Sequence, residues 1–139
     1  VARRTFQAMH DSIQAGTVIS CHDLSEGGLA VAATEMAFSG GLGASIDLDQ
    51  VPLNTATDGN GPPPTAVLLF AESNSRFLCE VPPHNAEKFE ELFAGLPVGR
   101  IGEVRDDQQL VMNCNQEESP RIRVNIHSAK EAWQKPLAW

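Results

Sequence analysis

The chain has 139 residues, of which 42% are hydrophobic and 20% are charged. This length and balance are typical of one globular domain with its own core, and they exclude an intrinsically disordered chain. Ten Lys and Arg residues against eighteen Asp and Glu residues give a net charge of −8, which disfavours nucleic acid and anionic membranes as partners.

The first part of the chain predicts two helices, each followed by a strand. Apolar residues at helical spacing indicate a helix over Ala2–Gln14, with Gly16 as its C-cap. The run TVISC (17–21) is typical of a short buried strand. A second helix is predicted over 29–38, where apolar residues form one stripe, and an alternating strand over 44–48. The stripe consists of Leu29, Ala32, Ala33, Met36 and Ala37.

The rest of the chain begins with a segment, 51–66, in which Pro, Gly, Asn and Asp crowd together, so we expect a surface loop. A helix opened by two prolines is predicted over 82–95, with Phe89, Leu92 and Phe93 facing inward. Ser128 is expected to cap a last short helix that contains Trp133. The remaining apolar runs predict strands over 67–70, 77–81, 98–104, 110–113 and 122–126.

The interleaving of helices and strands predicts an α+β domain, with a layered mixed β-sheet and packed helices. We expect this domain to span residues 1–127, followed by a C-terminal helix or tail over 128–139. The chain begins at Val1 without Met and ends at Trp139, so we expect a piece of a longer polypeptide. No run approaches the roughly 20 apolar residues that a membrane-spanning helix needs.

Two glycines, Gly27 and Gly28, stand where the second helix begins. One interpretation is packing: Asp23 and Glu26 form a capping box, and the glycines let the helix pack tightly against the preceding strand. The other is ligand binding, because free N–H groups and the positive helix end suit phosphate, and a missing β-carbon permits close approach. The carboxylates of Asp23 and Glu26 would repel a bare anion, which favours Mg²⁺ or sugar hydroxyls.

The segment Glu72-Ser73-Asn74-Ser75 lies between two predicted strands. On composition alone it is typical of a hairpin turn. Arg76 can bind a phosphate through its guanidinium group or pair with Glu72, and we favour the ion pair.

Three cysteines, Cys21, Cys79 and Cys114, form no C-x-x-C pair, so a disulfide framework is not expected and a reducing cytoplasm is. Cys21 and His22 are consecutive strand residues whose side chains point to opposite faces, which excludes a nucleophile–base pair. Cys21 is expected to be buried, and His22 to serve at most as a hydrogen-bonding group. The four histidines lack zinc-ligand spacing, so no metal site is predicted.

Three blocks, HDLSEGGLAVAATEMAFSGGLGASIDL, LLFAESNSRFLCEV and AGLPVGRIGEV, resemble the formylglycinamide ribonucleotide amidotransferase family. That family belongs to the ATP-dependent aminoimidazole ribonucleotide synthetase superfamily. The likeness runs from about residue 2 to residue 104, and the ending KEAWQKPLAW is similar to the end of the family's synthetase chain. The resemblance implies the fold of the superfamily's C-terminal-type domain, in what looks like its second copy.

The resemblance also implies an activity for the parent enzyme, in purine biosynthesis. ATP activates the formyl amide oxygen of formylglycinamide ribonucleotide, and ammonia then displaces the phosphate to form the amidine. The implied cofactors are ATP and Mg²⁺, held mostly by N-terminal-type domains. The implied partners are those ATP-binding domains of the same chain, a glutaminase subunit and a small accessory subunit. No catalytic residue is expected in this chain, which should be inactive alone.

Carried onto this chain, the resemblance implies a ligand-facing set that touches substrate, an auxiliary nucleotide or neighbouring domains. The set consists of Asp23, Ser25, Gly27, Gly28, Glu72, Ser73 and Asn74. Gly28→Asp is accordingly expected to depress activity or assembly with little loss of folding, and Trp133 and Trp139 are expected to dock against other domains.

Two alternatives stay open. One is another enzyme of the superfamily, of the selenophosphate synthetase, hydrogenase-maturation or aminoimidazole ribonucleotide type; these share the paired glycines but not the E-S-N-S-R-F block. The other is a non-catalytic ligand-binding or dimerisation module, since fold alone does not fix chemistry. An ATP-binding half encoded upstream in the same reading frame would favour the ligase.

Overall fold

The computed structural model describes residues 1–53, 63–114 and 120–137. The described residues form five α-helices and six β-strands, with short 3₁₀ turns between them. In chain order these are α1 (Ala2–Gln14), β1 (Ser20–Asp23), α2 (Gly28–Gly40), β2 (Gly43–Asp47), α3 (Thr65–Phe70), β3 (Phe77–Glu80), α4 (Ala86–Leu92), β4 (Gly102–Arg105), β5 (Gln109–Asn113), β6 (Ile122–Asn125) and α5 (Ile126–Gln134).

The strands form two sheets. One is a mixed four-stranded sheet in the order β4-β2-β5-β6, in which β2 and β5 run parallel and the other pairs run antiparallel. The other is a two-stranded antiparallel ribbon of β1 and β3. The predicted α+β class with a mixed sheet and packed helices is confirmed.

Two hydrophobic cores lie on either side of the ribbon. The larger core joins α2, α3, α5 and the four-stranded sheet, and Leu78 of β3 packs against it. The smaller core joins α1 and α4, and Phe77 and Cys79 of β3 pack against that one. This follows from the strand period of two, which sends alternate side chains to opposite faces.

The helices form largely where periodicity predicts them. The stripe of α2 is confirmed, since all its members except the half-buried Met36 are buried. Gly41 ends α2 in the left-handed conformation, with φ 72°, and its N–H donates to the Ala37 carbonyl. Phe89 in α4 and Phe93 directly after it are buried as predicted.

Residues 67–70 were expected to be a strand, and that prediction is wrong, because they belong to helix α3. Short apolar runs do not distinguish a buried strand from a buried helix. Here Leu68 and Leu69 are both buried while Val67 and Phe70 are exposed, which is a helical pattern and not an alternating one. The helix begins directly after Pro64.

Several element ends differ from prediction. The strand predicted over 17–21 lies at Ser20–Asp23, and the one predicted over 98–104 begins only at Gly102. Ser128 does not cap the last helix; the Asn125 side chain accepts hydrogen bonds from the His127 and Ser128 amides instead.

Helix α5 crosses the expected 127/128 boundary and contributes the buried Ile126 to the larger core. The division at residue 127 stays a prediction. Most of the predicted 51–66 loop (54–62) and Trp139 lie outside the described residues. Within the described residues, no helix has the length and apolarity to cross a bilayer.

Candidate functional site

The first part of the predicted set lies in the turn between β1 and α2. Asp23 ends β1 with an exposed side chain. Leu24 is buried, and its amide donates to the Arg76 carbonyl at 3.0 Å, which ties the turn to the segment before β3. The Ser25 carbonyl accepts from the Gly28 amide at 3.3 Å. The turn is therefore fixed by its own backbone and by its neighbour across the ribbon.

Helix α2 is not capped in the predicted way. The capping box of Asp23 and Glu26 is wrong, because the N-cap residue is Gly27 and no side chain of the turn caps the helix. The Gly27 amide instead donates to Oε1 of Glu72 at 2.9 Å. A carboxylate at this end of a helix satisfies a free N–H group and interacts favourably with the positive end of the helix dipole.

Both glycines are required by the backbone. Gly27 and Gly28 have φ angles of 76° and 61°, in the left-handed region that disfavours side chains. A β-carbon on Gly28 would lie 2.8 Å from the Leu69 carbonyl oxygen and 3.0 Å from that of Ala71. The packing interpretation thus accounts for Gly28, although the close neighbour is the α3 end and not the preceding strand.

The second part of the predicted set lies in the loop between α3 and β3. Glu72, Ser73 and Asn74 are exposed, and Ser75 adopts a left-handed conformation with φ 61°. The predicted Arg76–Glu72 ion pair is wrong. Nη1 of Arg76 donates to the Ala71 carbonyl at 3.0 Å, so the guanidinium braces the loop, and burial lowers its pKa.

The structure brings the turn and the loop together. Glu72 reaches Gly27 by a hydrogen bond, and Gly28 lies against residues 69–71. Ser25, Ser73 and Asn74 are exposed, and their side chains have no hydrogen-bond partner among the described residues. The predicted set therefore divides into a bracing group of Gly27, Gly28 and Glu72, and an outward group of Asp23, Ser25, Ser73 and Asn74.

One polar network was not predicted. Nε2 of His22 lies 2.8 Å from Oε2 of Glu35 on α2, and Oε1 of Glu35 accepts from Nε1 of Trp133 at 2.9 Å. Trp133 also packs on Phe38, with ring centroids 5.6 Å apart, so it contacts this domain's own helix. The one local signal was Glu35, the single charged residue in α2.

This network favours a charged histidine. Nδ1 of His22 lies 2.7 Å from the Asp23 carbonyl, so both ring nitrogens face oxygen acceptors. Both nitrogens donate only in the imidazolium form. Burial by itself lowers the pKa of His22, but the hydrogen bonds to the Asp23 carbonyl and the Glu35 carboxylate outweigh it and leave the pKa raised.

The chemistry of the site is that of a hydrogen-bond acceptor. Asp23, Glu26 and Glu72 surround the turn, while the Gly27 and Gly28 amides are already bonded within the chain. Sugar hydroxyls and amide N–H groups suit such a surface better than a bare phosphate does. Within the described residues, no group of three or more His, Cys, Asp or Glu side chains is placed to hold a metal ion.

The cysteines also differ from expectation. Cys21 is exposed and not buried. Its Sγ lies 3.6 Å from Sγ of Cys79, directly across the ribbon. Sequence spacing gave no sign of this contact, because it is set by the pairing of two distant strands.

Comparison with known proteins identifies a family to which this fold belongs. Residues 2–115 match the model of the family described as AIR synthase related protein, C-terminal domain. The chain is 42% identical over 130 residues to phosphoribosylformylglycinamidine synthase subunit PurL of Thermosynechococcus vestitus, and 37% identical over 127 residues to that of Deinococcus radiodurans. These alignments cover 90% of this chain but only 16% and 15% of the relatives.

Solved structures of Thermotoga maritima PurL have the same fold. The complex with FGAR superposes with a TM-score of 0.75 at 22% identity, covering 92% of this chain and 20% of the other. The complex with ATP also gives a TM-score of 0.75, at 24% identity over 91% of this chain and 21% of the other. At these identities the likeness concerns the fold alone.

Proposed function

Because the chain belongs to the family of AIR synthase related proteins, as a C-terminal domain, we propose that it is part of an ATP-dependent amidine-forming ligase. The proposed parent enzyme converts formylglycinamide ribonucleotide and ammonia, derived from glutamine, into formylglycinamidine ribonucleotide in purine biosynthesis. The observation that carries the proposal is the 42% identity to a PurL subunit over 130 residues.

The activity belongs to the longer polypeptide, since the chain spans about one sixth of its curated relatives. We assign ATP and Mg²⁺ binding to the N-terminal-type domains of the parent, as the family resemblance implies. The proposed partners are the ATP-binding domains of the same polypeptide, a glutaminase subunit and a small accessory subunit. A PurLQS assembly is known from Thermotoga maritima.

Within that enzyme we assign this chain one wall of a ligand pocket. The outward group (Asp23, Ser25, Ser73 and Asn74) presents a carboxylate, hydroxyls and an amide on exposed loops, which suits the ribose and amide groups of a glycinamide ribonucleotide or of an auxiliary nucleotide. The bracing group fixes these loops against each other and does not need to touch the ligand.

The surface beside the turn supports packing against other domains. Val31 on α2 and Val67 and Phe70 on α3 are 36%, 48% and 52% exposed. Gly28, at the start of α2, lies against residues 69–71 at the end of α3. Exposed large apolar side chains are common at interfaces between domains.

The test uses the full parent polypeptide with ammonium as nitrogen donor. We expect Asn74→Ala and Ser25→Ala to raise KM for formylglycinamide ribonucleotide, or to lower kcat, by about tenfold, which corresponds to about one lost hydrogen bond. Ser39→Ala, an exposed serine at the other end of α2, is the matched control and should behave as wild type.

Two results would contradict the proposal. A parent enzyme that forms no amidine with ATP and ammonium would remove the ligase assignment. If the parent is active but both variants match Ser39→Ala in kcat, KM and melting temperature, the ligase assignment is retained. The proposal that this chain lines the ligand pocket is then refuted.

A further inference from the structure

Cys21 and Cys79 lie directly opposite each other on the antiparallel ribbon of β1 and β3. The Leu24 amide donates to the carbonyl of its opposite residue, Arg76. Hydrogen-bonded and non-hydrogen-bonded pairs alternate along an antiparallel ladder, so three steps further on Cys21 and Cys79 form a non-hydrogen-bonded pair. Opposite Cα atoms in such pairs are about 4.5 Å apart, within the range of about 4.4–6.8 Å that a disulfide spans.

The two thiols face each other. Sγ of Cys79 lies 3.6 Å from Sγ of Cys21 and donates its proton toward it. Both thiols also lie near Sδ of the buried Met9, at 3.5 Å for Cys79 and 3.7 Å for Cys21. The thioether is a weak acceptor that carries no proton. Bond formation requires the two sulfurs to approach from 3.6 Å to about 2.05 Å.

The two cysteines differ in a way that assigns their roles. Cys21 is exposed, whereas Cys79 is half-buried against the smaller core. The hydrogen bond from Cys79 lowers the pKa of Cys21 against the opposing effect of burial, and the nearby His22 lowers it further. The same hydrogen bond, with burial, raises the pKa of Cys79. Thiolate character and access make Cys21 the nucleophile and Cys79 the resolving thiol.

We propose that Cys21 and Cys79 are a redox-active pair that closes to a cross-strand disulfide on reaction with a peroxide and reopens with a dithiol reductant. The inference is independent of the proposed ligase function. It concerns a reversible modification and not a structural disulfide, since both thiols are free in this structure.

The reaction balances in two steps. The Cys21 thiolate attacks one oxygen of hydrogen peroxide; the O–O bond breaks, and hydroxide leaves and takes up a proton as water. Sγ of Cys79 then attacks the sulfenic sulfur of Cys21, the S–O bond breaks, and the thiol proton leaves with the second hydroxide as water. Two thiols are oxidised by two electrons, and one peroxide is reduced to two waters.

The disulfide joins the strand that enters the turn at Asp23 to the strand that leaves the loop at Arg76. It therefore fixes the pairing of β1 with β3. Cys114 lies elsewhere, against the larger core, with its Sγ 3.3 Å from Oδ1 of Asp49. That position makes Cys114 the internal control.

The experiment titrates the chain with hydrogen peroxide and counts thiols after denaturation, with peptide mapping of the products. We expect wild type to fall from its three thiols to one, and to recover three with dithiothreitol. Cys114→Ser should lose both remaining thiols. In Cys79→Ser, a sulfenic acid at Cys21 should be trapped by dimedone at least about tenfold faster than one at Cys79 in Cys21→Ser.

Mapping of wild type alone keeps the test decisive if a variant fails to fold. A disulfide that links Cys21 to Cys79 within one molecule supports the proposal. Disulfides that involve Cys114 or join two molecules, or three thiols retained after excess peroxide, overturn it. Equal trapping at the two positions overturns the assignment of Cys21 as the nucleophile.

Discussion

Replacing Gly28 by Ala tests why the paired glycines stand at the start of α2. The new β-carbon would lie 2.8 Å from the Leu69 carbonyl oxygen, 2.9 Å from the Phe70 carbonyl carbon and 3.0 Å from the Ala71 carbonyl oxygen. These are backbone atoms, so no side-chain rotation relieves the contact. Gly28 also has φ 61°, which an L-residue adopts only at a cost.

The expected loss of stability has two parts. The left-handed backbone costs about 1–2 kcal/mol for a residue with a β-carbon. Displacing packed backbone costs about 1–3 kcal/mol more, so Gly28→Ala should lower the free energy of unfolding by about 2–5 kcal/mol. Gly41→Ala is the matched control at the other end of the helix: its φ is 72°, and nothing lies within 4 Å of the added β-carbon. It should lose only the first part.

Urea unfolding of the chain and its two variants, followed by circular dichroism, measures both free energies. The difference between the variants isolates the contact with residues 69–71. Equal destabilisation of Gly28→Ala and Gly41→Ala would refute a close contact between Gly28 and the backbone of residues 69–71. The larger Gly28→Asp substitution should destabilise at least as much, contrary to the sequence-based expectation that folding would be spared.

Three further predictions follow from named contacts. Glu72→Ala removes the acceptor of the Gly27 amide and should cost about 0.5–2 kcal/mol in urea unfolding, while Glu72→Gln, which keeps an acceptor oxygen, should cost less; equal losses would contradict a capping role. The raised pKa of His22 means that its charged contacts with Glu35 stabilise the native state fully below the unfolded-state pKa of about 6.5, and that this stabilisation is lost as pH rises through the native pKa. The pH dependence of the free energy of unfolding should flatten in His22→Gln. An NMR titration in which the pKa of His22 is not raised would refute this prediction. The proposed cross-strand disulfide joins two residues 58 positions apart and should stabilise the fold by about 4 kcal/mol in the chain-entropy relation. An oxidised form that melts no higher than the reduced one would contradict that relation here.

Local pattern predicted much of the fold. Helices α1, α2 and α4 carry apolar residues at helical spacing, and most strands were found within a few residues of their bounds. The strand predicted over 67–70 was wrong for a physical reason. Four consecutive apolar residues show neither helical nor strand periodicity. The family resemblance rested on three sequence blocks, and the C-terminal-type domain that it implied is confirmed by the match over residues 2–115.

Contacts between distant segments were not predictable in this way. Glu72 accepts from the amide of Gly27, the N-cap residue of α2, which lies 45 positions earlier in the chain, and Cys79 meets Cys21 across 58 positions. Asp23 and Glu26 had the correct local spacing for a capping box, yet a carboxylate from another element occupies the helix end. Sequence spacing indicates which hydrogen bonds a segment can form by itself. The topology of the fold determines which groups from distant segments lie close enough to replace them.

The paired glycines illustrate why a motif shared with a ligand-binding family need not bind ligand at every residue. Gly27 donates a hydrogen bond to Glu72, and Gly28 packs against residues 69–71. Replacing these residues should therefore weaken function through loss of stability. Ser25 and Asn74 are exposed, so their replacement should leave stability unchanged and affect only ligand affinity. A Gly28 substitution that lowers activity is therefore evidence for a ligand site only if the activity falls further than in another variant of equal stability. Substitutions of the outward group test ligand binding more directly.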